Sequence, residues 1–466
     1  MKKIEEIVNP NISNFIKSLR DIGYSFEIAV ADLLDNSITA KATSINIYSI
    51  DSIFCLLDNG VGMNELELKE SMRLATKNPE KDRPTNDLGR FGLGLKTASF
   101  SQCKKLTVIS KKNTEINARQ WDLDHISKIN QWALITPIDI SDLPLFKDLE
   151  NLENGTLVVW EEFDGKTSNT ENLDALRKHL SLVFHRFLEG ADSFTKLKIA
   201  INNNPLKPFN PFNINHAATQ EISVEKIKIR DKNIKITPYI LPHHSKLSSQ
   251  EYEQYATEDG YIKSQGFYLY REKRILIYGT WWGLHRATDA HKLVRIKIDI
   301  PNSMDKEWGI DIKKSSARPS SSIKKELKKI ISLTTKKGSK PFTGRGNKIQ
   351  DKSIDRFWDI KSSSEEEFRF AINKEHPLFT ELSTMMNEEK LKLINLFIDG
   401  IEAYLPLDAI QAKLQTNPKQ IKQESALAKD DILELAKTLK LSGLSQLEID
   451  KWLKTEIFSK HKNIFN

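Results

Sequence analysis

Cysteine is nearly missing from this chain: Cys55 and Cys103 are the only two in 466 residues, which excludes a disulfide framework and a cysteine-built zinc site. The ten histidines never form an H-E-x-x-H pattern, so a helix-borne zinc hydrolase is excluded too. No segment approaches the roughly 18 uninterrupted apolar residues a membrane helix needs, and the opening MKKIEEIVNP lacks the apolar run of a secretory signal. A soluble, cytoplasmic chain with no membrane partner is the expectation. The G-x-x-x-x-G-K-[ST] phosphate loop is absent, as is a Rossmann βαβ context, and no internal repeat is visible.

What is present is length and unevenly placed charge. At 466 residues the chain exceeds one compact core and calls for two or three domains. Between Lys313 and Lys352 thirteen Lys or Arg face two acids, Glu326 and Asp351, so the rest of this +7 chain sums to −4. A solvated helix face, IKKELKKII, followed by a flexible linker explains that segment as well as a nucleic-acid contact does. With Phe342 its only aromatic, any contact would be to phosphates rather than stacked bases.

Residues 1–165 alternate helical and strand-like patterns: a helix over 27–41, strands TSINIYSI and SIFCLLDNG, a helix opened by the capping-box pair Asn64 and Glu67, and strands KKLTVISKK and GTLVVWEEF. That mixture predicts an α/β fold, an α+β sandwich with helices on one face of a largely antiparallel sheet. A connecting helix, NLDALRKHLSLVFHRFLEG, leads to strand-like runs KLKIAIN, IKITPYILP, GFYLYREKRILIYG and LVRIKIDIP, read as a second α/β domain, 166–335. A Ser-, Lys- and Gly-rich stretch separates it from a helical part, 355–466, where Ile394, Phe397, Ile398, Ile401 and Leu405 follow helical spacing.

The chemistry-bearing pattern begins in EIAVADLLDNSITAKA, where acids and an asparagine interrupt an apolar helical stripe. Asp32 and Asn36 lie one turn apart on the same face. Asp35 reads as a helix-surface acid, and Glu27, nine residues from Asn36 and half a turn out of phase, as solvent-facing. Three elements follow in order. LLDNGVGM ends a strand in Asp58 with Gly60 and Gly62; alone it is a common turn. GRFGLGLKTASF places Gly89, Gly92 and Gly94 at the mouth of a helix, where free amides and a positive helix end suit phosphate. Gly155-Thr156 then opens GTLVVWEEF.

This order of DLLDN, DNGVG, GRFGLG and GT resembles the four motifs of the Bergerat-fold, or GHKL, ATPases: gyrase, heat-shock chaperone, histidine kinase and MutL. Within that group GRFGLGLKTAS, HLSLVFHRFL, INNNPLKPFNPF and GFYLYREKRILIYGTW are similar to the lid, connector, hairpin and transducer strands of MORC proteins, most nearly bacterial MORC-like ATPases. The resemblance covers roughly 20–335. It implies a Bergerat-fold ATPase domain, a ribosomal-protein-like transducer domain and a helical C-terminal part.

The resemblance also implies roles. Asn36 would ligate Mg²⁺, which takes a few hard oxygens beside the phosphates. Asp32 would orient and deprotonate the attacking water. Asp58 would accept from the adenine amino group, with Thr156 supporting that contact through water, Gly60 and Gly62 leaving room for the base, and Met63 packing beside it. Gly89, Arg90, Phe91, Gly92, Leu93, Gly94, Leu95 and Lys96 would wrap the triphosphate of ATP. A transducer lysine would meet the terminal phosphate; DKEWGIDIKKSSARP offers Lys313 and Lys314 on or just after a strand, and Lys314 is chosen. The expected activity is slow, Mg²⁺-dependent ATP hydrolysis by a homodimer that closes as a clamp, around DNA through 313–352, in restriction or phage defence. Most relatives carry Glu where Asp32 stands, so the second reading is a non-hydrolysing, nucleotide-gated module controlling a partner nuclease or methyltransferase. A histidine kinase lacks its phosphoacceptor helix here, and a MutL-like endonuclease lacks its metal motif.

Overall fold

The computed structural model describes residues 11–50, 52–74, 88, 94–163, 170–190, 196–229, 232–257, 260–311, 313–314, 316–338, 354–362, 368–416, 429–441 and 445–458. By compactness the chain divides into one unit of 1–241, 259–287 and 294–332, and a second of 242–258, 288–293 and 333–466.

The first unit begins with helices α1 (Ile12–Arg20) and α2 (Phe26–Thr39). Ser25 caps α2 by accepting from Ile28 N, and Ala29, Val30, Leu33 and Leu34 supply its buried stripe. Strands β1 (Ser44–Ile50) and β2 (Ile53–Asp58) form a hairpin. Asn64 then opens α3 (Glu65–Met72) through the expected capping box, both bonds at 2.9 Å. Helix α4 (Gly94–Gln102), β3 (Cys103–Lys112), β4 (Glu115–Asp122), α5 (Leu123–Ile129), α6 (Phe146–Asn151) and β5 (Gly155–Phe163) follow. The sheet order is β4-β3-β5-β2-β1, all antiparallel. Alternation along β2 divides the interior. Phe54 and Leu56 join the helix-covered core with α2 and α4, while Cys55 and Leu57 meet Phe146 and Leu149 of α6 on the other face. Burial pushes the Cys55 thiol up to about 12, as befits an inert core side chain.

The connecting helix is broken into α7 (Thr170–Val183) and α8 (His185–Glu189) at Phe184. The run KLKIAIN, expected in the second domain, instead forms β6 (Lys198–Ile201). It pairs parallel with β1 and carries β7 (Asn204–Pro205), making the first sheet seven-stranded. Its alternation fixed it as a strand but not which sheet it joins, which depends on a non-local partner. The second sheet holds β8 (Gln220–Glu221), β9 (Glu225–Ile229), β10 (Lys232–Ile240), β11 (Gly266–Arg271), β12 (Arg274–Thr280) and β13 (Val294–Ile300), in the order β12-β11-β13-β10-β8 with β9 on β10. A helix over Ser321–Gly338 covers one face through Ile323, Leu327, Ile330 and Ile331. It takes in residues expected to begin the linker. Leu182 of α7, Phe209 and Phe212 cover the other face, and His185 Nε2 meets Tyr270 Oη at 2.8 Å. Helices α7 and α8 therefore seat the second sheet beside the first within this unit.

The second unit is not wholly helical. Trp358–Ser362 and Phe368–Ile372 form an antiparallel hairpin whose alternating apolar residues went unread. Helices Pro377–Thr384, Glu388–Ala403, Leu407–Thr416, Lys429–Leu441 and Gln446–Leu453 follow, with a small core of Ala436, Leu439, Trp452, Ile457 and Phe458. Among the described residues no helix is long and apolar enough to cross a membrane.

Candidate functional site

The carboxylate ending β2 sits in a row of polar groups that the sheet register assembles. Asp58 faces Thr156 of β5, and Thr156 faces Ser110 of β3. Asp58 is buried, accepting from Ser37 Oγ at 2.7 Å and Gly60 N at 2.8 Å. Burial holds its carboxyl above the usual carboxylate range against those hydrogen bonds. Thr156 Oγ1 lies 3.0 Å from Ser110 Oγ, which accepts from Met63 N at 2.8 Å. Gly62 has φ +64°, and a Cβ there would stand 2.0 Å from Lys111 O, so only glycine fits. A Cβ on Gly60 would crowd Ala40 O at 2.8 Å, and one on Gly155 would meet Asp58 O at 2.4 Å. Met63 is half-buried against the helix-side core.

Across from this row, α2 carries the acids. Asp32 is 2% exposed and Asp35 1%, which corrects the surface reading of Asp35. Three residues apart on a helix, both share one face, and that face meets cations of the second sheet's half of the unit. Lys314 Nζ donates to Asp32 Oδ1 at 3.1 Å and to Asp35 Oδ2 at 2.5 Å. Arg274 Nη1 donates to Asp32 Oδ1 at 3.3 Å and also to Asp35 Oδ2. Tyr24 Oη donates to Asp32 Oδ2 at 3.1 Å, and burial, then the nearby Asp32 charge, raises the phenol pKa and keeps it a donor. Asn36 is exposed and makes no side-chain hydrogen bond among the described residues. Glu27 is half-buried in the first turn of α2.

Lys313 and Lys314 lie in a turn, not on a strand, and Lys314 has φ +55°. Lys313 Nζ donates to Gly23 O at 3.2 Å, so the neighbouring lysines reach different targets. Beside them a cavity of about 250 Å³ is lined by Ile28, His179, Val183, Arg274 and Tyr278, among others. Burial, with Arg274 second, pushes His179 down to about 4, so its ring is neutral.

The glycine-rich loop is only partly described. Gly89, Arg90, Phe91, Gly92 and Leu93 lie outside the described residues. Gly94 starts α4, as the spacing predicts, and an ideal Cβ on it would lie 3.8 Å from Asp32 Oδ2. The acid's second oxygen thus faces the amide-rich start of α4. Leu95 packs against the helix-side core, and the buried Lys96 donates from Nζ to Ser71 O at 2.8 Å.

Sequence reasoning missed Arg274, Arg271, Tyr24, Ser37 and Ser110. Arg271 and Arg274 bracket a two-residue turn, Glu272 and Lys273, with φ of +45° and +73°, the left-handed pair of a tight hairpin. Arg271 pairs with Asp305 at 2.7 Å and donates to Leu88 O, just before the glycine loop, at 3.1 Å. Two arginines flanking a hairpin tip were visible as a motif, but their targets are distant in sequence.

Residues 24–156 match the family model described as histidine kinase-, DNA gyrase B- and HSP90-like ATPase. The chain is 31% identical over 96 residues to the mouse protein named ATPase MORC2B, covering 19% of this chain and 9% of that protein. It is 26% identical over 117 residues to mouse MORC family CW-type zinc finger protein 1, covering 24% of this chain and 12% of that protein. The matched stretches therefore span about a tenth of those relatives. With the ordered motifs on α2, β2, α4 and β5, residues 24–156 are an ATP-binding domain of the GHKL ATPase family, of the MORC-like kind.

Proposed function

We propose that this protein binds Mg²⁺·ATP between α2, the end of β2 and the start of α4, and hydrolyses it slowly. The observation that carries this reading is the orientation of Asp32: buried, with Oδ2 facing Gly94 at the mouth of α4. Asp58 recognises the adenine amino group, since a carboxylate held by Ser37 and Gly60 presents its remaining acceptor positions in a fixed direction. Thr156 and Ser110 hold a water there, and Met63 packs beside the base. Asn36, whose amide oxygen has no competing partner among the described residues, fits a metal taking one protein oxygen plus phosphates and water. When bound, the ion supplies positive charge to the phosphates. The α4 amides and the loop from Gly89 to Lys96 wrap the triphosphate. Lys314 leaves the acids for the terminal phosphate, and Asp32 orients the attacking water and takes its proton.

Nucleotide binding favours a homodimer that closes around duplex DNA, and hydrolysis releases it. Exposed Lys325 and Lys328 on the Ser321–Gly338 helix support phosphate contact. A role in restriction or phage defence rests on the resemblance to bacterial MORC-like ATPases alone. The second reading is a non-hydrolysing module that gates a nuclease or methyltransferase, favoured by the shorter acid and the two cations on its Oδ1. Single-turnover hydrolysis by wild type and Asp32→Ala separates the two. A wild-type rate well above the variant's supports the ATPase, and equal rates leave only the switch.

A further inference from the structure

The cluster at the foot of the second sheet is more than a counter-charge for Lys314. Asp32 and Asp35 face two cations, so the buried group is balanced in formal charge. The two cations differ in how they are held. Arg274 begins β12 at a tight hairpin tip, its side chain is 4% exposed, and its guanidinium lies 5.5 Å from the Phe184 ring centroid. It is clamped by strand, ring and carboxylate together. Lys314 reaches the acids from a turn on a flexible stem. On Asp32 the two cations share Oδ1, while Oδ2 takes only Tyr24 among the described residues and faces Gly94.

We propose that Arg274 is a positioning residue for Asp32: anchored by Asp35, it holds the acid's Oδ1 so that Oδ2 keeps facing the start of α4 when Lys314 leaves for the phosphate. Arg274 is then the fixed cation, and Lys314, bonded to both Asp32 and Asp35, the exchangeable one. A lone aspartate, one methylene shorter than glutamate, gains most from such a grip, because a carboxylate displaced by an ångström loses its line to the reacting atoms. In this role Arg274 acts through Asp32 rather than on the nucleotide. Its effect is on the rate at which bound ATP turns over, with affinity left to Asp58, the loop amides and Asn36. The same hairpin holds Leu88 O through Arg271, so one tip of the second sheet reaches both the acid and the entrance to the phosphate loop.

This inference rests on the ATPase reading, and the two can fail separately. Arg274→Ala is expected to lower kcat on the order of tenfold or more, with the affinity for a non-hydrolysable ATP analogue changed by less than about threefold. Arg274→Lys, which keeps the positive charge but not the reach of Nη1 to both acids, recovers part of kcat. A kcat for Arg274→Ala within about twofold of wild type, or a parallel loss of affinity, would overturn the positioning role; should the alanine variant not fold, Arg274→Lys and Arg274→Gln give the same kcat-against-affinity split. Nucleotide-free protein supplies the independent arm. Melting shifts of Arg274→Ala with Asp35→Ala, and of Arg274→Ala with Asp32→Ala, are expected to be less than additive, most strongly for Asp35. Additive shifts overturn the inference whether or not ATP is turned over, whereas a wild type that binds no nucleotide overturns the ATPase reading alone.

Discussion

A buried carboxylate at the end of β2 works against the stability of the nucleotide-free protein. The carboxyl of Asp58 is raised by burial, so ionising it costs more in the folded protein than in the unfolded chain. That penalty vanishes as pH falls below the ordinary carboxylate value of about 4. Asp58→Asn is therefore expected to melt at or above wild type at pH 7, with the difference shrinking toward pH 4, and yet to lose adenine nucleotide. Paired thermal melts across that range check the sign. A variant that melted lower at pH 7 would show the carboxylate to be structural. His179 works in the opposite direction. Its pKa is depressed to about 4, so the stability tied to its neutral ring is present above the unfolded value of about 6.5 and is lost as pH falls toward 4. His179→Gln should lose less stability than wild type on acidification from pH 6.5 to 4.

At the scale of elements, the hairpin tip between β11 and β12 is where residue choice and backbone demand disagree. Glu272 and Lys273 both occupy the left-handed region, where Asn-Gly is favoured. Lys273→Gly, which keeps the Glu272 Oε1 contact to Asn302 N at 2.9 Å, should raise the melting point modestly. Gly62→Ala, in contrast, would force a Cβ against Lys111 O and is expected to cost about 2 to 4 kcal/mol, measurable by denaturant unfolding. Local signals made α2, the Asn64 capping box, β2 and the start of α4 legible, because apolar spacing, caps and glycines act within a few residues. The joining of β6 to β1 and the burial of Asp35 were not legible. Both depend on partners far along the chain, Ser44–Ile47 for β6 and Arg274 with Lys314 for Asp35.

For the whole molecule, the ordered motifs identified the ATP-binding domain, whereas the basic segment left two explanations open. Its described portion includes an amphipathic helix that buries Ile323, Leu327 and Ile330 and exposes Lys325, Lys328 and Lys329. That arrangement suits either a solvated face or phosphate contact. If the clamp engages duplex DNA, retention should fall steeply between about 50 and 200 mM salt, and Lys325→Glu with Lys328→Glu should weaken it without changing ATP affinity. Light scattering with Mg²⁺ and a non-hydrolysable ATP analogue should double the particle mass. The most direct measurement is calorimetric titration of Mg²⁺·ATP into wild type and Asp58→Asn. One adenine nucleotide bound per chain, and none by the variant, is the result the pocket predicts; no binding by wild type, or equal binding by both, would contradict it.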